Sequence, residues 1–345
     1  MRSRRPVSVP GIRELEHGSV QFTPARKLAL AASALLYLAG AAAVCALIDE
    51  ATLRTALSLP AALVAALLGL SLLNYAVRAW RWTVLGGHLG LRVPLRDNVV
   101  YYLAGFCLTA TPGRAGEAIR LWFLKSAHGV AYLRSLPLML ADRIIDMWAV
   151  LLLALVSIAG FAQYRWQGAI VALLVAGVSM PVLFPRRFEP MLGSIYGLVP
   201  RLGRLLVRAR RIMRAMADLS SWRSYGLTLA PSVGGWLAEC AGLFLLLRHF
   251  GAEVSFLNAV FVFSFSIIVG AISMLPGGLG SSEATIVLLL RALGVDMATA
   301  LAVTAIIRIA TFWFAVAIGA LLMPVAMHAM ARSAQSPPAP GRGSS

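Results

Sequence analysis

Apolar runs long enough to cross a bilayer follow one another along this 345-residue chain, separated by short polar joins. Their length matches the roughly 20 residues needed to cross, so the pattern predicts membrane helices. Full spans are predicted over Leu28–Ile48, Pro60–Val77, Ser135–Phe161, Ala169–Phe184, Gly226–Leu247 and Ala298–Met327. Two further apolar stretches, Asn98–Leu124 and Leu257–Leu293, are cut midway by helix breakers, Thr111-Pro112-Gly113-Arg114-Ala115-Gly116-Glu117 and Leu275-Pro276-Gly277-Gly278-Leu279-Gly280-Ser281-Ser282-Glu283. Unpaired backbone in hydrocarbon costs several kcal/mol, so such breaks survive only inside protein or beside a wet cavity. The expected fold is an all-α polytopic membrane protein of about six full transmembrane helices plus two re-entrant or broken helical hairpins.

The two breaker clusters share more than Pro-Gly. Glu117 follows Pro112 by five residues and Glu283 follows Pro276 by seven; Arg143-Ile-Ile-Asp-Met-Trp148 lies 31 residues past Pro112, and Arg308-Ile-Ala-Thr-Phe-Trp313 lies 32 past Pro276. Each predicted unit is then span, hairpin, span, over about 60–161 and 226–327, within one transmembrane domain of residues 28–330. A basic arm (1–27) precedes it and a Ser/Pro/Gly-rich tail (331–345), expected to be disordered, follows. Opposite entry sides for the two hairpins make the units an inverted repeat, the geometry on which alternating access is commonly built.

Composition agrees: 59% hydrophobic and 13% charged residues, with mean hydropathy +0.80, leave no stretch able to bury an independent soluble core. The net charge of +17 would point to nucleic acid in a soluble protein, but these arginines flank apolar spans and point instead to topology and anionic lipid headgroups. Nine arginines in the segment 185–225, several at helical spacing opposite Leu202, Leu205 and Leu206, predict an amphipathic helix on the anionic cytoplasmic leaflet. With both termini cytoplasmic, 25 of 31 lysines and arginines fall inside: six before Leu28, eight from Arg78 to Arg134, nine in 185–225 and two in the tail. The run Arg78-Ala79-Trp80-Arg81-Trp82 reads as an interfacial belt. Cys45, Cys107 and Cys240 have no C-x-x-C spacing and read as small packing residues.

Chemistry concentrates where charge meets the breakers. Arg143 and Arg308 lie seven to ten residues inside their spans, where a charge costs at least about 2.5 kcal/mol and requires a partner or a wet cavity. Asp146, one turn after Arg143, is a candidate partner; Arg308 has no acid near it in its own helix and implies Glu283, Glu239 or an anionic ligand. Two readings stand side by side: structural ion pairs that lock helices together, or a site in which guanidiniums take a phosphate. The candidate substrate-binding set is Arg114, Glu117, Arg120, Asp142, Arg143, Asp146, Glu239, Gly277, Gly278, Gly280, Glu283 and Arg308. The glycines either offer N–H groups to an anion or let the hairpin turn and pack closely. The five histidines share no ligand spacing, and no metal, cofactor or catalytic motif is expected.

The motifs Pro112-Gly-Arg114-Ala-Gly116-Glu117-x-x-Arg120, Asp142-Arg143-x-x-Asp146 and Leu275-Pro-Gly-Gly-Leu-Gly-x-x-Glu283, with the later Arg308, resemble the lysylphosphatidylglycerol synthase transmembrane family, also called flippase-like, over about residues 28–327. Asp142 departs from it, standing where a glutamate often precedes the arginine. The resemblance implies lipid translocation in the bacterial inner membrane. Synthase activity, which in that family belongs to a soluble carboxy-terminal domain, is expected to be absent. Phospholipid, polyprenyl-phosphate-linked and hopanoid lipids all stay open as substrates. A non-transporting, lipid-binding accessory protein and an intramembrane lipid-modifying enzyme are the alternatives.

Overall fold

The computed structural model describes residues 58–111, 116–158 and 222–335, with eight isolated positions between 166 and 214. The amino-terminal arm, the predicted span 28–48, most of the span 169–184, the arginine-rich segment 185–225 up to Trp222 and the last ten residues lie outside the described residues. The described chain is helical throughout. Its elements are α1 (Ala61–His88), α2 (Leu95–Ala104) running into a 3-10 turn (Gly105–Leu108), α3 (Ile119–His128), α4 (Tyr132–Ser157), α5 (Trp222–His249), α6 (Phe256–Ile272), a 3-10 turn (Pro276–Gly278), α7 (Ser281–Ala292), α8 (Met297–Arg308), a π turn (Ile309–Trp313) and α9 (Phe314–Gln335).

Among the described residues, three helices are long and apolar enough to cross a membrane: Ala61–His88, Gly226–His249 and Met297–Ser333. Helix α4, at 26 residues, has the length but carries Asp142, Arg143 and Asp146 within it. The arms of the broken helices are short. Helices α2 and α3 have 10 residues each, α6 has 17 and α7 has 12, or about 15–26 Å at 1.5 Å per residue against a hydrocarbon core of about 30 Å. They therefore form hairpins that stop inside the bundle, α6 packing directly against α7.

Boundaries move in informative places. Helix α1 continues eleven residues past Val77, and the first hairpin begins at Leu95 rather than Asn98. The last helix extends to Gln335, into the stretch read as tail. The interfacial reading of Arg78–Trp82 fails for three of its residues while Trp80 stays exposed: Arg78 and Arg81 are buried because α1 carries them inward to carboxylates on α4, and Trp82 is buried with its indole N–H on Asn98 of α2.

Helix directions follow from close approaches. Gly235 of α5 lies against Asn74 of α1, and Gly242 against Leu67, so these two helices run antiparallel. Leu138 approaches Gly86 while Asp146 reaches Arg78, so α4 also runs antiparallel to α1. Leu67 and Ile306 line one groove, and Tyr75 meets Thr311, so α8 and its continuation run parallel to α1. The first span of each unit thus opposes its counterpart, as does the last. Hairpin 95–128 enters beside the carboxy-terminal end of α1, and hairpin 256–292 enters from the other end, after α5. Each sits on the last span of the other unit, α2 against α9 and α6 against α4.

The first hairpin is seated where α9 has no side chain. A Cβ on Gly319 would stand 2.2 Å from the Cys107 backbone nitrogen and 2.8 Å from the Phe106 carbonyl carbon, so the two backbones touch. Gly319→Val is expected to destabilise by at least about 1–3 kcal/mol, as overpacking does, and to lower the melting temperature in detergent. Gly87→Ala, with nothing within 4 Å of its Cβ position, is expected to leave it unchanged. An unshifted melting temperature for Gly319→Val would show that the hairpin is not held there.

Candidate functional site

Helix α1 presents Ser71, Asn74, Tyr75, Arg78, Arg81 and Trp82 on one buried face, the i, i+3, i+4, i+7 spacing of a helical stripe. In an otherwise apolar helix this polar stripe faces the bundle interior, where Asn74, Tyr75, Arg78, Arg81 and Trp82 each find a partner from another element. Arg81, wholly buried, donates from Nε to Asp142 Oδ1 at 3.0 Å and from Nη1 to Asp146 Oδ1 and Ser232 Oγ, each at 2.8 Å. Arg78 Nη2 stands 3.0 Å from Asp146 Oδ2, and its guanidinium lies 5.3 Å from the Phe106 ring and 5.6 Å from that of Trp236. Trp236 Nε1 donates to Asp146 at 3.1 Å, and Asn74 donates to Glu239 Oε1 at 2.6 Å.

The hairpin glutamates hold the two span arginines. Glu117 accepts from Arg143 Nη2 through Oε2, which also stands 2.8 Å from Arg120 Nη1. Glu283 accepts from Arg308 Nε at 2.5 Å through Oε1, while its Oε2 accepts from the Gly280 amide at 2.7 Å. Each unit thus repeats one contact, a hairpin carboxylate against a guanidinium of its own last span. Asp146 does not pair with Arg143, contrary to the spacing argument. Arg143 turns to Glu117 and Asp142, while Asp146 goes to Arg78 and Arg81, because α1 rather than the adjacent turn of α4 covers that face.

The units differ at Arg308. The motif 143–148 stays regular α-helix, but Ile309–Trp313 widens into a π turn, and the Tyr75 hydroxyl donates to the Thr311 carbonyl there. Such single-turn bulges disrupt the regular ladder of backbone bonds and often occur at functional sites. The bulge carries Phe312, whose ring lies 4.6 Å below the Arg308 guanidinium.

Phe312 is also where the two hairpins meet. A Cβ on Gly277 would fall 2.6 Å from the Phe312 ring and 3.3 Å from the Ala110 Cα, and one on Gly278 would fall 2.9 Å from the Gly270 Cα. Gly277, Gly278 and Gly280 have φ of 61°, 70° and 84°, a region that disfavours side chains. The amides of Gly278 and Gly280 are taken, by the Leu275 carbonyl and by Glu283. Close approach and turning account for these glycines.

Beside this contact lies a cavity of about 130 Å³ lined by Arg143, Asp146, Trp236, Gly277, Ser282 and Arg308, among others. A smaller one of about 40 Å³, lined by Arg78, Glu117, Glu239 and Phe312, shares Trp236, Ile267 and Arg308 with it. Several donors on these walls have no hydrogen-bond partner among the described residues: Arg78 Nε, Arg143 Nε and Arg308 Nη2. Burying a guanidinium N–H without an acceptor is costly, so these positions call for water or an anionic group.

Of the residues singled out in the sequence, Glu117, Arg120, Asp142, Arg143, Asp146, Glu239, Glu283 and Arg308 share one connected polar centre with Gly277 and Gly278, and Gly280 supports it through Glu283. Arg114 lies outside the described residues. The sequence reading missed Asn74, Tyr75, Arg78, Arg81 and Trp236; for the four on α1 the signal was the polar stripe at helical spacing, whose end was read as a membrane boundary, while Trp236 lies on α5.

Fold and site together define an all-helical membrane protein in which two broken hairpins, entering from opposite ends, close on a charged centre. The chain belongs to the lysylphosphatidylglycerol synthase TM region family, whose model matches residues 25–319. It is similar to a UPF0104 membrane protein of Methanothermobacter thermautotrophicus, 29% identical over 71% of this chain and 78% of the relative. A second from that organism is 26% identical over 71% and 79%, and one from Pyrococcus horikoshii 27% identical over 74% and 83%.

Arg81 has the most to lose. Replacing it with Gln is expected to destabilise the protein by about 3–5 kcal/mol, because Asp142 and Asp146 lose a buried counter-charge. The double variant Arg81→Gln/Asp142→Asn is expected to recover part of this. Denaturant unfolding in detergent provides the measurement. A double variant no more stable than the single would argue that Arg81 acts by shape, not by charge.

Proposed function

We propose that this protein is a lipid translocase that moves an anionic or isoprenoid-linked lipid between leaflets of the cytoplasmic membrane, with the headgroup phosphate drawn to Arg143 and Arg308. The observation that carries this reading is the shared cavity, bounded by the second hairpin's tip and by the guanidinium paired with each hairpin's glutamate. Free N–H positions on both arginines suit a phosphate, which accepts several charge-assisted bonds at once. Hairpins entering from opposite ends suit alternating exposure of one site to the two faces. The arginines of 185–225 would rest on the anionic cytoplasmic leaflet, with both termini on that side. The protein's own chemistry would be binding and movement without covalent change.

A second reading, an accessory protein that binds lipid without moving it, draws on the charge balance. Five arginines (78, 81, 120, 143, 308) face five carboxylates (Glu117, Asp142, Asp146, Glu239, Glu283), and such pairing suits a locked scaffold as well as a moving one.

Purified protein in liposomes with fluorescent phosphatidylglycerol, polyprenyl phosphate and a hopanoid separates the readings. Translocation without modification is expected. Arg143→Gln leaves Glu117 paired with Arg120, so it is expected to fold normally and to slow movement about tenfold, the effect of about 1.4 kcal/mol. Arg308→Lys, which keeps charge but loses the planar fork, is expected to do likewise. Unchanged movement in both would sink the role of these arginines, binding without movement would favour the accessory protein, and a modified lipid would favour an enzyme.

A further inference from the structure

A second cationic recess lies away from the central site and shares no residue with it. It is formed where three segments meet at the carboxy-terminal end of α1: the turn Gly90-Leu91-Arg92, the end of α3 with His128 and Val130, and Arg134 in the first turn of α4. Its volume is about 560 Å³, and no carboxylate lines it. Arg92 and Arg134 are exposed, and Arg134 Nη2 makes long hydrogen bonds, 3.5 Å to the Leu89 carbonyl and 3.4 Å to that of Gly90. His128 Nε2 is buried without a hydrogen-bond partner among the described residues. Asp97 is the acid that acts on His128, and Lys125 and Arg96 add positive charge on the neighbouring surface.

We propose that this recess binds the phosphodiester headgroup of an anionic phospholipid as a peripheral site, separate from the lipid handled at the centre. Two guanidiniums provide directed donors for phosphate oxygens, and the unpartnered His128 Nε2 adds a polar ring nitrogen to the recess. The position selects a lipid over a dissolved anion. Helix α1 is 28 residues long, about 42 Å, so its end projects past the hydrocarbon core to headgroup level. On the same segments Leu95 is 65% exposed, and Tyr132 and Leu133 are each 43% exposed, with Lys125 Nζ 4.5 Å over the Tyr132 ring. Apolar and aromatic side chains beside basic ones form an interfacial surface, able to meet acyl chains while the recess takes the headgroup. Because α3 returns from the first hairpin and α4 carries Arg143, a headgroup held here joins the base of that hairpin to the span it pairs with. Its occupancy is expected to stabilise the docked hairpin.

The experiment uses the full chain in nanodiscs of phosphatidylcholine, with or without a minor fraction of phosphatidylglycerol. Phosphatidylglycerol is expected to raise the melting temperature and to remain bound in native mass spectrometry. Arg92→Gln/Arg134→Gln is expected to fold normally, since both side chains are exposed, and to lose retained phosphatidylglycerol about tenfold or more, since each basic residue at an anionic lipid surface adds to the retention. Arg92→Lys/Arg134→Lys is expected to keep most of the retention, and Arg248→Gln, at the opposite end of the bundle, to keep all of it. Undiminished retention in the double Gln variant overturns the proposal. An equal melting shift from millimolar inorganic phosphate in phosphatidylcholine discs also overturns it, by showing that the recess takes a soluble anion. The site stands or falls independently of translocation, which none of these readouts measures.

Discussion

The structure depends on keeping buried guanidiniums paired inside a membrane bundle. Arg81 is the clearest case: a wholly buried cation from α1 spans Asp142 and Asp146 of α4 and reaches Ser232 of α5, so one side chain joins three spans. Its charge is affordable only because all three helices present acceptors at the same depth. Arg78 and Trp236 complete the ring around Asp146, and Arg120 and Arg143 do the same for Glu117. Helices so joined have little freedom to slide, since a shift of one turn strands a charge. The rigid frame is therefore α1, α4 and α5.

Against that frame the hairpins are held differently. Their arms are too short to cross, and their tips rest on glycine contacts and on one carboxylate each. The first hairpin adds the Tyr102 hydroxyl and Arg120, both of which reach Asp142 of α4, and is seated backbone to backbone on Gly319. The second joins its own last span through Glu283 and Arg308, meets Phe312 at Gly277, and packs α6 on α4. The tethers differ in kind, and the π turn that carries Phe312 lies on the side of the second.

The inverted arrangement also explains why the charged centre forms in the middle of the bundle. Two hairpins entering from the same end would place their tips side by side and leave one half of the bundle purely apolar. Entering from opposite ends, each packs on the last span of the other unit, and their glutamates arrive at a common depth with arginines at matching positions. Two weak sequence copies thereby make one site.

Much of this was legible in the sequence. Apolar run length predicted an all-helical membrane protein, the breaker clusters predicted two hairpins, and the repeated Glu and Arg positions marked residues of the site, with Glu283 among the partners open to Arg308; the pairing of Glu117 with Arg143 was not foreseen. These are properties of local pattern, because a helix must be long and apolar to span and a proline–glycine break must be sheltered. The partner of each charge was another matter. Asp146 lies one turn from Arg143 yet pairs with Arg78 and Arg81, and these two arginines look like part of a membrane boundary yet are buried at the centre of the site. A polar residue at the end of an apolar run has the same local sequence whether it faces water or another helix's carboxylate. Only the tertiary structure decides between them, because the cost of burying an arginine is set by what other segments, more than sixty residues away, bring to meet it.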